Sequence, residues 1–251
     1  LTSQRLKEEA AADSLELAIR QTRNDALASG TTSFLELDAE HNPPRVVPWG
    51  YVLVGAWHFE ETPQQISGGR KNVSFVRGAR SAEGKVGKGL ALTYMDGASG
   101  RKGFVDCTSD AEFDCENGGW LEAYIFIEFD VAVKQYVFRK PKSYSLFVDV
   151  GGTLIGEAGG KTVRSKDFLI PVRRWTKVAF AWDSRSSQVL VDDAVVGVGP
   201  GMKAPVHDEP LLIGDSELTL LGRVDEAKVL AAVRGKPLEF HPTAKLTHDA
   251  Q

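Results

Sequence analysis

Glu36, Asp38 and Glu40 alternate within FLELDAE, and alternate residues of a strand share a face, so their three carboxylates would project together. That is the raw material of retaining glycoside hydrolysis, in which a nucleophile and an acid stand about 5–5.5 Å apart and nearby charge splits their pKa values. The same string also reads as an acidic, solvated strand edge. Its position, directly after a helical segment and ahead of the strand-rich body, favours the edge, and no catalytic residue is assigned. His41, His58, His207, His241 and His248 are scattered, with no metalloprotease spacing. No Gly-x-Ser-x-Gly elbow occurs, and GKVGKGL lacks the spacing of a phosphate-binding loop. The chain therefore reads as a non-enzyme.

The framework around these residues follows from composition and period. The chain has 251 residues, 42% apolar and 25% charged, enough for one large domain or a medium domain with an appendage. That apolar fraction excludes a disordered chain, and no run approaches the ~18–20 apolar residues of a membrane span. A net charge of −4 with no Lys/Arg stripe argues against a nucleic-acid partner. Twenty-five glycines and two methionines favour a turn-rich β body.

Within residues 1–30, Ala11, Leu15, Ile19, Thr22 and Ala26 recur at helical spacing, Glu16 precedes Arg20 by four, and Gly30 stands at a helix C-terminus. TTSFLELDAE alternates as a strand does, and NPPRVVPWG reads as a proline-rich connector. From Tyr51 to Leu238 short alternating segments succeed one another between Gly, Ser, Pro and Asp turns, which predicts a sandwich or jelly roll and excludes a parallel α/β sheet. The tail HPTAKLTHDAQ is expected to fray. Cys107 and Cys115 lie eight apart in a polar segment, and that short loop leads us to expect a local disulfide and an oxidising compartment, the alternative being two unrelated thiols. A zinc site is not expected, because a second, closely spaced pair is missing. A start at Leu1 rather than Met leads us to expect that an upstream segment has been removed.

Six fragments, in order, resemble the laminin-G-like, concanavalin A-like jelly-roll family. LVGAWHFEE is similar to its opening strand, GKVGKGLALTYMDG to its Gly-Lys-x-Gly segment, and WLEAYIFIEF to its Glu-Ala-Trp-Ile strand, with Tyr124 replacing the tryptophan. YSLFVDVGGTL and IPVRRWTKVAFAWDSRSSQVLVDDAVV resemble its central strands, with Asp193 where the family has glycine, and LLIGDSELTLLGRVDEAKVL resembles its closing strand. The Glu36–Glu40 string also resembles the catalytic signature of one concanavalin-like glycosidase family. AAADSLELAIRQTRNDALASGTTSFLEL resembles the segment that follows the membrane helix in type IV pilin-like proteins, notably minor pseudopilins of type II secretion.

These resemblances imply a mainly β, concanavalin A-like (laminin-G-like) jelly-roll sandwich with one N-terminal α-helix. The expected division is 1–50, pilin-like helix and connector; 51–240, jelly roll; and 241–251, tail. They imply an extracellular or periplasmic filament subunit, anchored before assembly by a membrane helix upstream of Leu1. Other pilin-like subunits would pack on Ala11, Leu15, Ile19, Thr22 and Ala26, and the jelly roll would be displayed for adhesion to a glycan or protein. The alternative is a secreted or surface binding module outside any filament; a glycoside hydrolase stands behind both. The jelly-roll resemblance also implies a structural calcium ion, with Glu60 and Asp225 as candidate ligands, or else an Asp225 that only hydrogen-bonds neighbouring backbone. Trp57, Trp175 and Trp182 are expected in the core, leaving Trp49 and Trp120 as the remaining candidates for a stacking platform, with stapling of the proline-rich linker the alternative for Trp49. No ligand-binding residue is singled out.

Overall fold

The computed structural model describes Glu16, Ile19 and Arg20 and residues 34–38, 45–60, 65–67, 73–96, 99–234 and 238–239. The chain divides into two compact units, Leu1–Val52 with Val233–Gln251, and Leu53–Ala232.

In the smaller unit Glu16, Ile19 and Arg20 are helical, and Arg20 Nη2 donates to Glu16 Oε1 at 2.6 Å, the i,i+4 pair expected from the sequence. Ile19 is 49% exposed. The other members of its stripe, Ala11, Leu15, Thr22 and Ala26, lie outside the described residues, as do Glu40 and the 241–251 tail. Strand β1 (Phe34–Asp38) runs antiparallel to the start of β2 (Arg45–Trp57), from Phe34 opposite Trp49 to Asp38 opposite Arg45. The proline-rich connector is thus a strand from Arg45 onward, since proline is tolerated where its nitrogen has no ladder bond to donate.

The larger unit is built from β3 (Gln65–Ser67), β4 (Val73–Arg77), β5 (Arg80–Glu83), β6 (Lys88–Ala91), β7 (Thr93–Asp96), β8 (Ser99–Lys102), β9 (Phe104–Asp106) and β10 (Gly118–Ile127). It continues through β11 (Gln135–Lys140), β12 (Tyr144–Val148), β13 (Thr153–Ala158), β14 (Lys161–Leu169), β15 (Trp175–Asp183), β16 (Ser186–Val191), β17 (Ala194–Pro200), β18 (Leu212–Gly214) and β19 (Gly222–Arg234). In the smaller unit β20 (Leu238–Glu239) pairs with β2 at Val46 and Arg45. Two antiparallel sheets make the sandwich. The first runs β2–β19–β10–β15–β16–β17 and carries the β5–β6 hairpin on β19; the second runs β14–β13–β12–β11–β18–β9–β4–β3. This is the mainly β jelly-roll architecture expected from the alternating segments.

Alternation writes the core directly. Along β10, Leu121, Ala123, Ile125 and Ile127 are fully buried while Trp120, Glu122, Tyr124 and Phe126 face outward half-covered. Along β15, Thr176, Val178, Phe180 and Trp182 point inward. Phe180 and Trp182 stack at 4.6 Å, Tyr144 packs on Trp182 at 5.0 Å, and the Tyr144 hydroxyl donates to the Phe113 carbonyl at 2.7 Å. Trp57 Nε1 donates to Ser74 Oγ at 2.9 Å, satisfying a polar atom in a fully buried ring. Trp175 departs from expectation. It is seven residues from Trp182, so the two cannot share a strand face, and it lies outside the core, 5.6 Å from Phe126 with the Arg223 guanidinium 5.5 Å away.

β13 crosses this core at Gly156, opposite Leu146, where a Cβ would overlap the Phe180 ring. Gly156→Ala should therefore overpack the sandwich and lower stability by about 1–3 kcal/mol, read as a lower urea midpoint at unchanged m-value.

Candidate functional site

One extra residue shapes the outer face of the second sheet. β11 and β12 pair Tyr136 with Phe147 and then Phe138 with Leu146, so Val137 is bulged. Val137 and Phe138 both turn into the core, while Tyr136 and Arg139 face outward. The result is a small apolar cluster separate from the main core: Tyr136, Phe147 and Ile155, with Tyr136 and Phe147 5.5 Å apart at 60°. Cations cover it. Lys134 Nζ sits 3.7 Å from the Phe147 centroid and 4.7 Å from that of Tyr136, and Arg139 Cζ lies 4.8 Å from Tyr136.

Arg139 is held in place by Asp215, whose buried carboxylate takes Nη1 at 2.5 Å and the backbone N–H groups of Glu217 and Leu218 at 2.9 Å each. Burial works to raise the Asp215 pKa, but those N–H groups and the Arg139 guanidinium outweigh it and hold the carboxyl below the usual range. Beyond Arg139 the chain turns at 140–143, with Lys142 at φ 63° and Ser143 N–H donating to the Lys140 carbonyl at 3.1 Å. Lys140 reaches inward to Asp114 at 3.2 Å and the Glu209 carbonyl at 2.8 Å, and Lys142 pairs with Glu209 at 3.1 Å. Between this turn and β13 opens a cavity of about 300 Å³, lined among others by Tyr136, Arg139, Lys142, Ser145, Glu157 and Gly160. Its volume is at the lower end of small-ligand pockets, and it combines an aromatic wall with a cation, a hydroxyl and a carboxylate.

The residues expected to carry function lie elsewhere. Glu60 and Asp225 are brought to one turn. Asp225 is fully buried, its Oδ2 accepting the N–H groups of Lys85 at 2.8 Å and Val86 at 2.9 Å, its Oδ1 that of Glu226 at 2.8 Å. Burial raises its pKa against those hydrogen bonds. Glu60 accepts from Lys88 N–H at 3.2 Å. A calcium ion needs six to eight oxygens, whereas these carboxylates already face backbone donors. Among the described residues no three His, Cys, Asp or Glu converge as a metal site. The donor set does not fit the ion, and nothing further is built on it.

The expected disulfide is absent. Cys107 and Cys115 are free, buried thiols with different neighbours, Cys107 hydrogen-bonded to the Ser74 side chain and Cys115 to that of Tyr144. Burial pushes the Cys115 pKa up to about 12 and that of Cys107 higher still. Glu36 and Asp38 fall on β1 in the smaller unit. Trp49 is buried, with the Arg234 guanidinium 5.5 Å from its ring, and Trp120 is half-buried, donating to Glu122 Oε2 at 3.3 Å. Tyr136, Arg139, Ser145 and Glu157 went unnoticed because only the bulge and the pairing order bring them together.

No protein-family model and no curated protein matches the chain. Solved structures do. Domain 4 of AbnA, a GH43 extracellular arabinanase from Geobacillus stearothermophilus solved with arabinotriose, superposes at a TM-score of 0.57 and 15% identity over 72% of this chain and 93% of that one. A botulinum neurotoxin type C structure, whose cell entry depends on two ganglioside molecules, gives 0.54 at 8% identity over 75% and 49%. The binding domain of Paraclostridial Mosquitocidal Protein 1 gives 0.52 at 11% over 74% and 48%. The chain thus spans about half of the toxin chains and nearly all of the arabinanase domain. At these identities the likeness establishes the jelly-roll fold and not an activity. One of the three is named a binding domain and another was solved with arabinotriose, and none of the three supports a pilin or filament role.

Two outcomes follow. The stability that Asp215 lends through its lowered pKa is present above the unfolded carboxyl value and lost as pH falls through the folded one. The destabilisation in Asp215→Asn, measured by urea unfolding, should therefore be large at pH 7 and shrink below about pH 4. Iodoacetamide at pH 8 should leave Cys107 and Cys115 unmodified in the folded protein and label both in urea, read as a mass shift of two adducts.

Proposed function

We propose that the chain is a non-enzymatic carbohydrate-binding module that takes its ligand on the outer face of the second sheet. The observation that carries this reading is the cavity beside the 140–143 turn, where the Tyr136 ring, the Arg139 guanidinium, the Ser145 hydroxyl and the Glu157 carboxylate meet. An aromatic surface with a few fixed donors and acceptors is what a sugar ring, apolar on its C–H faces and polar at its rim, requires. Arg139 is pre-positioned by Asp215, so little ordering entropy is lost when it donates to a ligand. Two of the fold's neighbours support the choice of ligand class, the arabinanase domain with its arabinotriose and the toxin with its gangliosides. Binding in place of catalysis fits the same site, which offers one carboxylate among its lining residues rather than an acid and a nucleophile. The secreted or surface module is thereby preferred to the filament subunit.

A glycan array carrying arabinotriose, other neutral oligosaccharides and sialylated glycans, followed by calorimetry on the hits, tests the reading. Binding should fall at least about tenfold in Glu157→Gln and Ser145→Ala, equivalent to roughly 1.4 kcal/mol, and remain unchanged in Trp175→Ala on the other sheet. Absence of binding across the array, or hits indifferent to both cavity variants, would sink it.

A further inference from the structure

The cavity is one end of a longer feature. Strand registers place Glu157 opposite Ser145, Ser145 opposite Arg139, Arg139 opposite Leu212, Leu212 opposite Asp106, and Asp106 opposite Phe75. Directly paired residues share a sheet face, so one side chain from each of six adjacent strands forms a row on the outer surface. Five inter-strand steps make this row about 24 Å long. Its far end is an exposed aromatic ring, Phe75, 39% exposed, with the Arg77 guanidinium 5.5 Å from its centroid. From the β13 end the row presents Glu157, Ser145 and Arg139 in succession, then the half-covered Leu212 and Asp106, before the Phe75 ring.

Its electrostatics select the ligand. The cavity's cations are each already matched, Arg139 by Asp215, Lys140 by Asp114 and Lys142 by Glu209, while Lys134 and Arg77 lie against the Tyr136, Phe147 and Phe75 rings. The acidic groups along the row, Glu157 and Asp106, accept hydroxyl donors and repel anions. Resting on the glycan-binding reading above, we propose that the ligand is an extended, uncharged oligosaccharide lying across six strands from Glu157 to Phe75, rather than a terminal or acidic sugar.

Calorimetry with neutral arabinan, xylan and glucan ladders, each from disaccharide to hexasaccharide, tests this against sialylated oligosaccharides of matched length. For the ladder that binds, affinity should rise roughly tenfold from the shortest to the longest member. Phe75→Ala, at an exposed position, should remove that gain while leaving disaccharide affinity unchanged. Affinity independent of length with a silent Phe75→Ala, or tighter binding of the sialylated series, overturns this inference. In that case loss of binding in Glu157→Gln would still uphold the module itself. No binding of any ladder or of the sialylated series overturns both.

Discussion

The geometry of the sandwich turns on the side on which Val137 is buried. A regular strand over Gln135–Lys140 would send residues 136, 138 and 140 to one face. The bulge instead buries Val137 and Phe138 together, adding apolar volume to the core and leaving Tyr136 and Arg139 as neighbours on the outside. Core and site are therefore set by one backbone irregularity. Arg139 then finds Asp215, and Asp215 organises the loop after β18 through two backbone N–H groups. The Leu218 carbonyl of that loop accepts from Tyr136 N–H at 2.7 Å and closes the circuit back onto β11.

Much of the architecture was legible because alternation is a local signal. The burial of β10 and β15 follows their sequences residue by residue, and the helical pair of Glu16 and Arg20 stands four apart as expected. The site was not legible for the opposite reason. Arg139, Ser145 and Glu157 lie on three consecutive strands but are aligned by a register that the bulge shifts, and Phe75 joins their row only through strand order, which no spacing encodes. A bulge is likewise hidden in QYVFRK, whose apolar residues read as an ordinary buried strand. The proline-rich segment misled in its own way, since proline marks turns on average and yet Pro48 continues β2.

The two cysteines and the two candidate calcium ligands teach a common lesson about residue types read without neighbours. Short spacing suggested a bridge, but each thiol has its own partner in the apolar interior, Ser74 for Cys107 and Tyr144 for Cys115. Without the bridge, no pair of residues in the chain argues for an oxidising compartment. Glu60 and Asp225 do converge, as the family resemblance suggested, and the turn they meet offers donors where an ion would need acceptors. Carboxylates that brace a glycine turn and carboxylates that hold a cation look alike in sequence and differ only in what faces them.

Lys134 lies against both rings of the outer aromatic cluster. Left bare, those rings would be an adhesive spot on a solvent-facing sheet; beneath an ammonium they are tolerated. On the binding reading proposed above, a ligand that stacks there must first displace the lysine, exchanging one favourable contact for another, so the net gain of a single engagement is reduced. Strong retention on a surface would then come from repetition, through several copies of the module or several repeats of the target, with effective concentration supplying what the individual contact withholds.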